Sequence, residues 1–430
     1  MSKRILVVNP PSFAIKPIAE SEMIFAAPYA IASDLKSRGI DCQLFDFIEE
    51  KPDLDGHDSN RIDGVQRCGN FENELISKHV YYVGKNPKHY INFLKAYHPD
   101  EVWISVLFTY NWQAARLVAD LTREFNPLIK IRLGGAYATL CTDHAKQNVG
   151  VDEVEVSCPE DPRRFKKISF NLYRSLPSFF PVLTSVGCPF GCGWCAVHKL
   201  EGQTMQFKDP VEVLDDIEEK YCYGVTRFKF LDSNILANYD NHLKVILQGI
   251  IKRGIKAIFR SYGGINPLFA TQDKLELMAQ ANFVDVQIPL ETINEDVIKS
   301  NNRAVSIQQW TEAVEKFNKI KRFSLSSFIL CGMPEQTIQE IYKAINFVKD
   351  HGVKPSPLFF TPIPGTRYED RSKPLEQLHP YLFPYASNKM LVRDLDQLLA
   401  NYTQTGCYAP DYIKGERYIS SPVIGKEITI

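Results

Sequence analysis

No stretch of this 430-residue chain approaches the roughly 20 consecutive apolar residues that a membrane helix needs. The apolar run Ile5-Leu6-Val7-Val8 stops at Asn9-Pro10-Pro11 with no small-residue cleavage site after it, so it does not read as a secretory leader. The expected location is the cytoplasm. Neither sign of charge is in excess: the formal net charge is −1, so no large field favours nucleic acid or a membrane surface. A disulfide framework is not expected in a reducing compartment. Seven of the ten cysteines, Cys42, Cys68, Cys141, Cys158, Cys222, Cys331 and Cys407, are scattered and read mostly as small buried apolar residues. The other three fall together, and no second cysteine pair stands opposite them.

What is present is a rhythm of strands and helices. Ile5 to Val8, Cys42 to Phe45, Val102 to Val106, Ile129 to Leu133 and Glu153 to Val156 read as strands. Met23 to Arg38, stopped by Gly39, reads as a helix. Tyr90, Phe93, Leu94 and Tyr97 repeat at helical spacing, as do Ala115, Val118, Leu121 and Phe125. Such alternation predicts a doubly wound parallel sheet, Rossmann-like or flavodoxin-like. Ligands on such sheets sit beyond the carboxyl ends of the strands. The loops placed there are Asn9-Pro10-Pro11, Phe108-Thr109-Tyr110 and Gly134-Gly135-Ala136-Tyr137. Adjacent glycines admit a ligand close to the backbone; turning the chain is an equal explanation. Lys51 to Gly69 is polar and patternless and reads as a surface insertion.

The alternation resumes with longer helices. Strands are expected at Val182 to Thr184, Arg227 to Leu231, Lys256 to Arg260, Val284 to Ile288, Ser324 to Leu330 and Pro357 to Thr361. Helices fit between them at Pro210 to Tyr221, Tyr239 to Arg253, Gln272 to Ala281, Ile307 to Ile320 and Gln336 to Asp350. Six parallel strands with intervening helices predict a partial TIM-type (β/α)6 barrel, with its chemistry at the carboxyl ends. The fold class is therefore α/β. The division is residues 1–160 for the doubly wound sheet, 161–181 for a linker, 182–370 for the barrel and 371–430 for a C-terminal extension without this rhythm.

Just after the first barrel strand stands Cys188-Pro-Phe-Gly-Cys192-Gly-Trp-Cys195. Three thiolates so close in sequence can wrap one face of an iron–sulfur cubane. A 4Fe-4S cluster usually takes four, so one iron is left for a substrate or cofactor. Gly191 and Gly193 suit a tight loop that turns amides toward cluster sulfurs. The alternative is zinc with His198 as fourth ligand, but structural zinc usually links two paired motifs.

With these residues in view, the chain resembles the radical S-adenosylmethionine (SAM) enzymes from Val182 to Tyr368. Thr184 to Cys192 looks like the family's opening C-x-x-x-C-x-aromatic-C segment, with Trp194 at the aromatic position near adenine. Phe230 to Asn234 is similar to the second-strand segment that meets the methionine amino group. Ile288 to Thr292 resembles the fourth-strand segment whose acidic residue can contact SAM. Phe328 to Thr337 resembles the glycine-bearing fifth-strand turn, with Gly332, and Thr361 to Thr366 the closing segment. The front half resembles the cobalamin-binding domain of one large subgroup, through Val7 to Pro11, Ser105 to Trp112 and Leu133 to Leu140. The cobalamin residues so implied are Asn9, Pro10, Ser105, Phe108, Thr109, Gly134, Gly135, Ala136 and Tyr137. The D-x-H-x-x-G motif that replaces the lower axial base is missing from its place after the first strand. The similar string Asp55 to Asn60 ends in Asn and follows the second strand, so His57 reads as a loop residue.

Within this resemblance Cys188, Cys192 and Cys195 hold the cluster. Asp232 and Asn234 hydrogen-bond the SAM ammonium, or cap the next helix. Glu291 ends an apolar strand, where an unpaired charge is costly and a cationic ligand would remove the cost. Arg260 meets the SAM carboxylate, or pairs with Glu291. Cys331 reads as core, with a catalytic role open at its strand end; Arg303 contacts cofactor or solvent. The chemistry implied is reductive cleavage of SAM to a 5′-deoxyadenosyl radical, the cofactors carrying the hard step. Cobalamin above the barrel makes methylation of an unactivated carbon the leading reading. The alternatives are radical SAM chemistry without cobalamin and a non-catalytic iron–sulfur sensor. The expected partners are a small-molecule or peptide substrate and an electron donor such as flavodoxin or ferredoxin, with neither nucleic acid nor membrane.

Overall fold

The computed structural model describes residues 3–15, 26–48, 65–158, 167–174, 176–177, 179–261 and 263–404. Its front half contains β1 (Arg4–Asn9), β2 (Ser12–Ala14), β3 (Asp41–Asp46), β4 (Val65–Glu72), β5 (Ser77–Val83), β6 (Glu101–Ser105), β7 (Lys130–Gly134) and β8 (Glu153–Val154). Five of these form a parallel sheet in the order β3-β1-β6-β7-β8. Counting only those five in chain order gives 2-1-3-4-5, the flavodoxin-like order, with its switch point between β1 and β6. Leu6, Val8, Val102, Ile104, Ile131 and Leu133 build the core on one face, packed by the helices Pro87–Tyr97 and Trp112–Phe125. Ile5, Val7 and Cys42 meet the helix Ala26–Ser37 on the other face.

Of the expected surface insertion Lys51 to Gly69, only residues 65–69 lie among the described residues. Val65 to Gly69 belongs to β4, which pairs antiparallel with β5, and β5 with β2. The strand escapes sequence reading because β4 is exposed along most of its length, so neither face carries an apolar alternation. His57 lies outside the described residues.

The second sheet has six parallel strands: β9 (Phe180–Val182), β12 (Arg227–Phe230), β13 (Ile258–Ser261), β14 (Phe283–Gln287), β15 (Ser324–Cys331) and β16 (Lys354–Phe359). A small antiparallel pair, β10 (Ser185–Val186) with β11 (Gln206–Phe207), frames the cysteine loop. The six strands run in chain order with edges at β9 and β16, as expected of an open barrel. Phe228, Phe230, Phe259 and Phe283 are fully buried among the outer helices. Their alternates Lys229, Arg260 and Asp285 share the other face in register. Local chemistry sets the helix starts. Asp209 caps Pro210–Cys222, and Ser306 and Thr337 form capping boxes with Gln309 and Glu340 before Ile307–Asn318 and Ile338–Asp350.

The C-terminal extension is partly regular, against expectation: Lys389–Gln404 is a helix that buries Leu395, Leu398 and Leu399. Ahead of it, residues 374–383 lie between the two halves. Phe359 of β16 meets Tyr381 and Phe383 at 5.9 and 5.5 Å. From the front half, Trp112 Nε1 donates to Glu376 at 2.9 Å and Lys78 Nζ donates to the Tyr381 carbonyl at 2.7 Å. At the opposite barrel edge, Tyr29 stacks on Tyr173 at 4.1 Å, and Tyr173 meets Phe180 of β9 at 5.5 Å. The front half is thus fastened to both edges of the open barrel.

Candidate active site

The cysteine loop leaves β10 and is held at several backbone points. Cys188 N donates to Gly202 O at 3.1 Å, and Cys195 N to Cys192 O at 3.0 Å. The three thiols lie close enough to perturb one another. Burial is the main cause that pushes the Cys188 and Cys195 thiols up, Cys195 to about 11, and the neighbouring thiols add to it. A cationic centre that binds thiolates would reverse this. Among the described residues, no three or more His, Cys, Asp or Glu side chains converge tightly enough to hold a single metal ion. A cubane spreads its thiolates over separate irons.

Gly193 is required by packing. A Cβ there would stand 2.5 Å from Asn301 Oδ1. Its N–H donates to Asn301 O at 2.9 Å, and its carbonyl accepts from Arg367 N at 3.0 Å. The loop is thus clamped between the end of the helix Glu295–Ser300 and residue 367. Gly193→Ala is expected to cut iron incorporation severalfold on reconstitution. Adding Asn301→Ala should restore it by removing the colliding oxygen, a coupling that iron and sulfide assay of the four proteins of the double-mutant cycle measures.

Polar groups from several strand ends surround this loop, and some lack partners. Asp232 is 1% exposed. Its Oδ1 accepts from Thr184 and Ser185, while its Oδ2 is buried without a partner. Burial pushes its carboxyl up to about 6. Asn234 is 2% exposed, and neither end of its amide is bonded; it does not cap a helix. Buried polar groups are rarely left so, and each such group asks for an explanation. Glu291 has a left-handed φ of 72°, although its N–H and C=O bond to Phe328 and Leu330. A non-glycine residue held there stores strain of the kind that collects at functional sites. Burial raises its carboxyl, and Arg303 opposes that shift. Arg303 also acts on Cys188, donates to Pro289 O at 2.8 Å and keeps its Nε buried and unbonded.

The alternative pairing of Arg260 with Glu291 is not formed. Arg260 pairs with Asp285 and lies over the Phe179 ring at 4.3 Å; neither Glu291 nor free space receives its guanidinium. Cys331 is fully buried and its thiol is pushed upward by burial, which favours the core reading. Trp194 packs in a small apolar cluster with Leu330, Met333 and Phe360. Gly332 has φ +83° and donates to Gln336 Oε1 at 2.8 Å.

At the front sheet's carboxyl edge most of the expected residues are committed internally. Asn9 donates to Asp46 at 2.7 Å. Tyr137 is fully buried on His144 at 2.8 Å. Pro10 and Thr109 are buried, and Asn111 bonds both Pro11 O and Phe13 N. Openness lies one strand over. Ser105 pairs in register with Gly134, where a Cβ would meet nothing within 4 Å, and Leu107 is 47% exposed. Phe108 and Ala136 are half-buried beside them. Gly135 differs from Gly134: its φ is +93° and a Cβ would lie 2.4 Å from Val106 O. It is needed for the turn. The helix Ala136–Leu140 that follows packs against Val197–Leu200, the helix just after Cys195. The two loops singled out in the sequence therefore meet.

Residues 182–348 match the family model of the radical SAM superfamily. Among curated proteins, the bacteriochlorophyllide d C-12(1)-methyltransferase of Chlorobaculum tepidum is 25% identical over 199 residues, covering 45% of this chain and 42% of that one. The chain thus spans less than half the length of that relative. Among solved structures, the radical SAM methyltransferase TsrM from Kitasatospora setae, with cobalamin and a [4Fe-4S] cluster bound, has a TM-score of 0.62 at 13% identity and covers 86% of this chain and 77% of its own. The cobalamin-dependent SAM radical enzyme OxsB has a TM-score of 0.53 at 14% identity, covering 94% and 61%. At such identities these likenesses establish the fold, and they run through both halves.

Proposed function

We propose, from the premise that residues 182–348 are a radical SAM domain, that this chain is a cobalamin-dependent methyltransferase acting on an unactivated carbon. The observation that carries the reading is the packing of the helix after Gly134-Gly135 against the helix after Cys195, which brings the open sheet edge at Gly134 and the cluster loop together. Cys188, Cys192 and Cys195 hold a 4Fe-4S cluster with one iron open. When bound, the cluster supplies an electron to SAM, and the corrin carries a methyl group. Asp232 Oδ2 and Asn234 Oδ1, both now unbonded, accept from the SAM ammonium. Glu291 and Arg303 bracket the ligand with opposite charges, and Trp194 packs beside adenine. Leu107 and Gly134 give the corrin an apolar floor. The front half, fastened over the barrel, excludes water. A small molecule or peptide is the substrate, with a flavodoxin- or ferredoxin-like electron donor. Among the described residues no helix is long and apolar enough to cross a membrane.

The test is turnover of SAM by reduced, reconstituted protein. 5′-Deoxyadenosine should accumulate slowly even without substrate. Glu291→Gln should weaken SAM binding on the order of tenfold to a hundredfold, the worth of a charge-assisted hydrogen bond of about 1.5–3 kcal/mol. An unchanged dissociation constant would return Glu291 to a structural role.

A further inference from the structure

Asp232 is bonded very unevenly. Its Oδ1 accepts from Thr184 N at 3.2 Å, Thr184 Oγ1 at 2.7 Å and Ser185 Oγ at 2.6 Å. Its Oδ2 accepts from nothing and is out of contact with solvent. An ionised carboxylate only accepts, so both hydroxyls must donate to it. The Thr184 hydroxyl, with its proton so committed, accepts from His242 Nε2 at 3.0 Å. That assignment fixes the neutral Nε2–H tautomer of His242. The imidazole is 2% exposed, and burial pushes it down to about 4, so it is neutral at ordinary pH. The ring of Phe207 at 5.0 Å holds it from the side.

A carboxylate anchored this fully on one oxygen presents the other in a fixed direction. We infer that Thr184, Ser185 and His242 are positioning residues that aim Asp232 Oδ2 at the ammonium group of a bound amino-acid-like sulfonium. The inference rests on the reading above that Asp232 meets the ammonium of SAM. It adds the reason for an otherwise costly arrangement, since a purely structural buried carboxylate would have both oxygens satisfied. Thr184 and Ser185 lie four and three residues before Cys188 on the same loop. The chain therefore ties the ammonium site to the cluster loop: His242 precedes the helix Leu243–Lys252, Thr184 and Ser185 follow β9, and Asp232 lies two residues past β12.

The experiment compares two ligands on cluster-loaded protein by equilibrium dialysis: SAM, and its deaminated analogue, which keeps the carboxylate, sulfonium and adenosine. Thr184→Val and His242→Phe should each weaken SAM about tenfold, the scale of one hydrogen bond to a charged group, and leave the analogue unchanged. Thr184→Ser and His242→Gln keep the donors and should bind SAM as the parent does. Equal losses for both ligands would make these residues general supports of the loop and overturn the inference. So would Thr184→Ser failing as badly as Thr184→Val. Asp232→Asn separates the levels. If it leaves SAM binding intact, the ammonium reading of Asp232 itself falls. If it abolishes the preference for SAM over the analogue while Thr184→Val and His242→Phe do not reduce it, only the positioning chain falls.

Discussion

Alanine at Cys188, Cys192 and Cys195 together takes reconstituted protein from about four irons per chain to none and removes its broad visible absorbance. The expectation follows from the loop. The thiols fall within eight consecutive positions and sit on a backbone pinned to Gly202, Asn301 and Arg367. No other described segment offers such a set. Cys158 and Cys222 are exposed single residues on other elements, so replacing both should leave iron content and spectrum unchanged. Cluster assembly in the triple variant would overturn the ligand assignment. Loss of iron in the Cys158/Cys222 variant would do the same.

Leucine at Gly134 abolishes cobalamin retention while iron content stays at the parent level; leucine at Gly135 does something else. The two glycines adjoin, yet their surroundings separate them. At Gly134 an added side chain enters open space at the sheet edge, in register with Ser105 and beside exposed Leu107. A corrin seated there would compete with it for the same volume. At Gly135 a side chain collides with the Val106 backbone in a left-handed conformation, a strain of about 1–3 kcal/mol for the conformation alone, with the collision added. Gly135→Leu should therefore lower the unfolding midpoint of the front half whether or not cobalamin is present. Gly134→Leu should leave that midpoint unchanged. Gel filtration after loading with excess hydroxocobalamin, with absorbance read at the corrin bands, decides the matter. If the parent protein emerges without corrin, the methyltransferase reading falls and the radical SAM assignment stands. If corrin is bound, its lower face should show no histidine from a D-x-H-x-x-G motif, which the sequence lacks after β1.

The strands of both sheets and the cysteine loop were legible because each rests on a local pattern. The strands show as short apolar runs, as in β1, or as alternating apolar residues, as in β7 and β12, and the Cys188 to Cys195 spacing has few other uses. Other features depend on neighbours far away in sequence. Gly193 could be read as a flexible loop glycine, but its need comes from Asn301, more than a hundred positions on. Arg260 sits near a strand end as expected, yet its partner Asp285 lies on the adjacent strand, and only register reveals it. The two glycines at 134 and 135 look alike in sequence and are told apart by the distance to Val106. The helix Lys389–Gln404 did carry a signal, Leu395 and Leu398–Leu399 at helical spacing, obscured by the irregular, proline-bearing segment before it. The exposed strand β4 carried none, while β5 did in Val80-Tyr81-Tyr82-Val83.

The fastening of the front half to both barrel edges has a mechanical consequence. Two attachments define a line: Tyr29, Tyr173 and Phe180 mark one end, and Trp112–Glu376 with Lys78–Tyr381 mark the other. A body pinned at one point can swing open like a door. A body pinned at two can only pivot about the axis that joins them. Separating the halves therefore requires both sets of contacts, at β9 and at β16, to break.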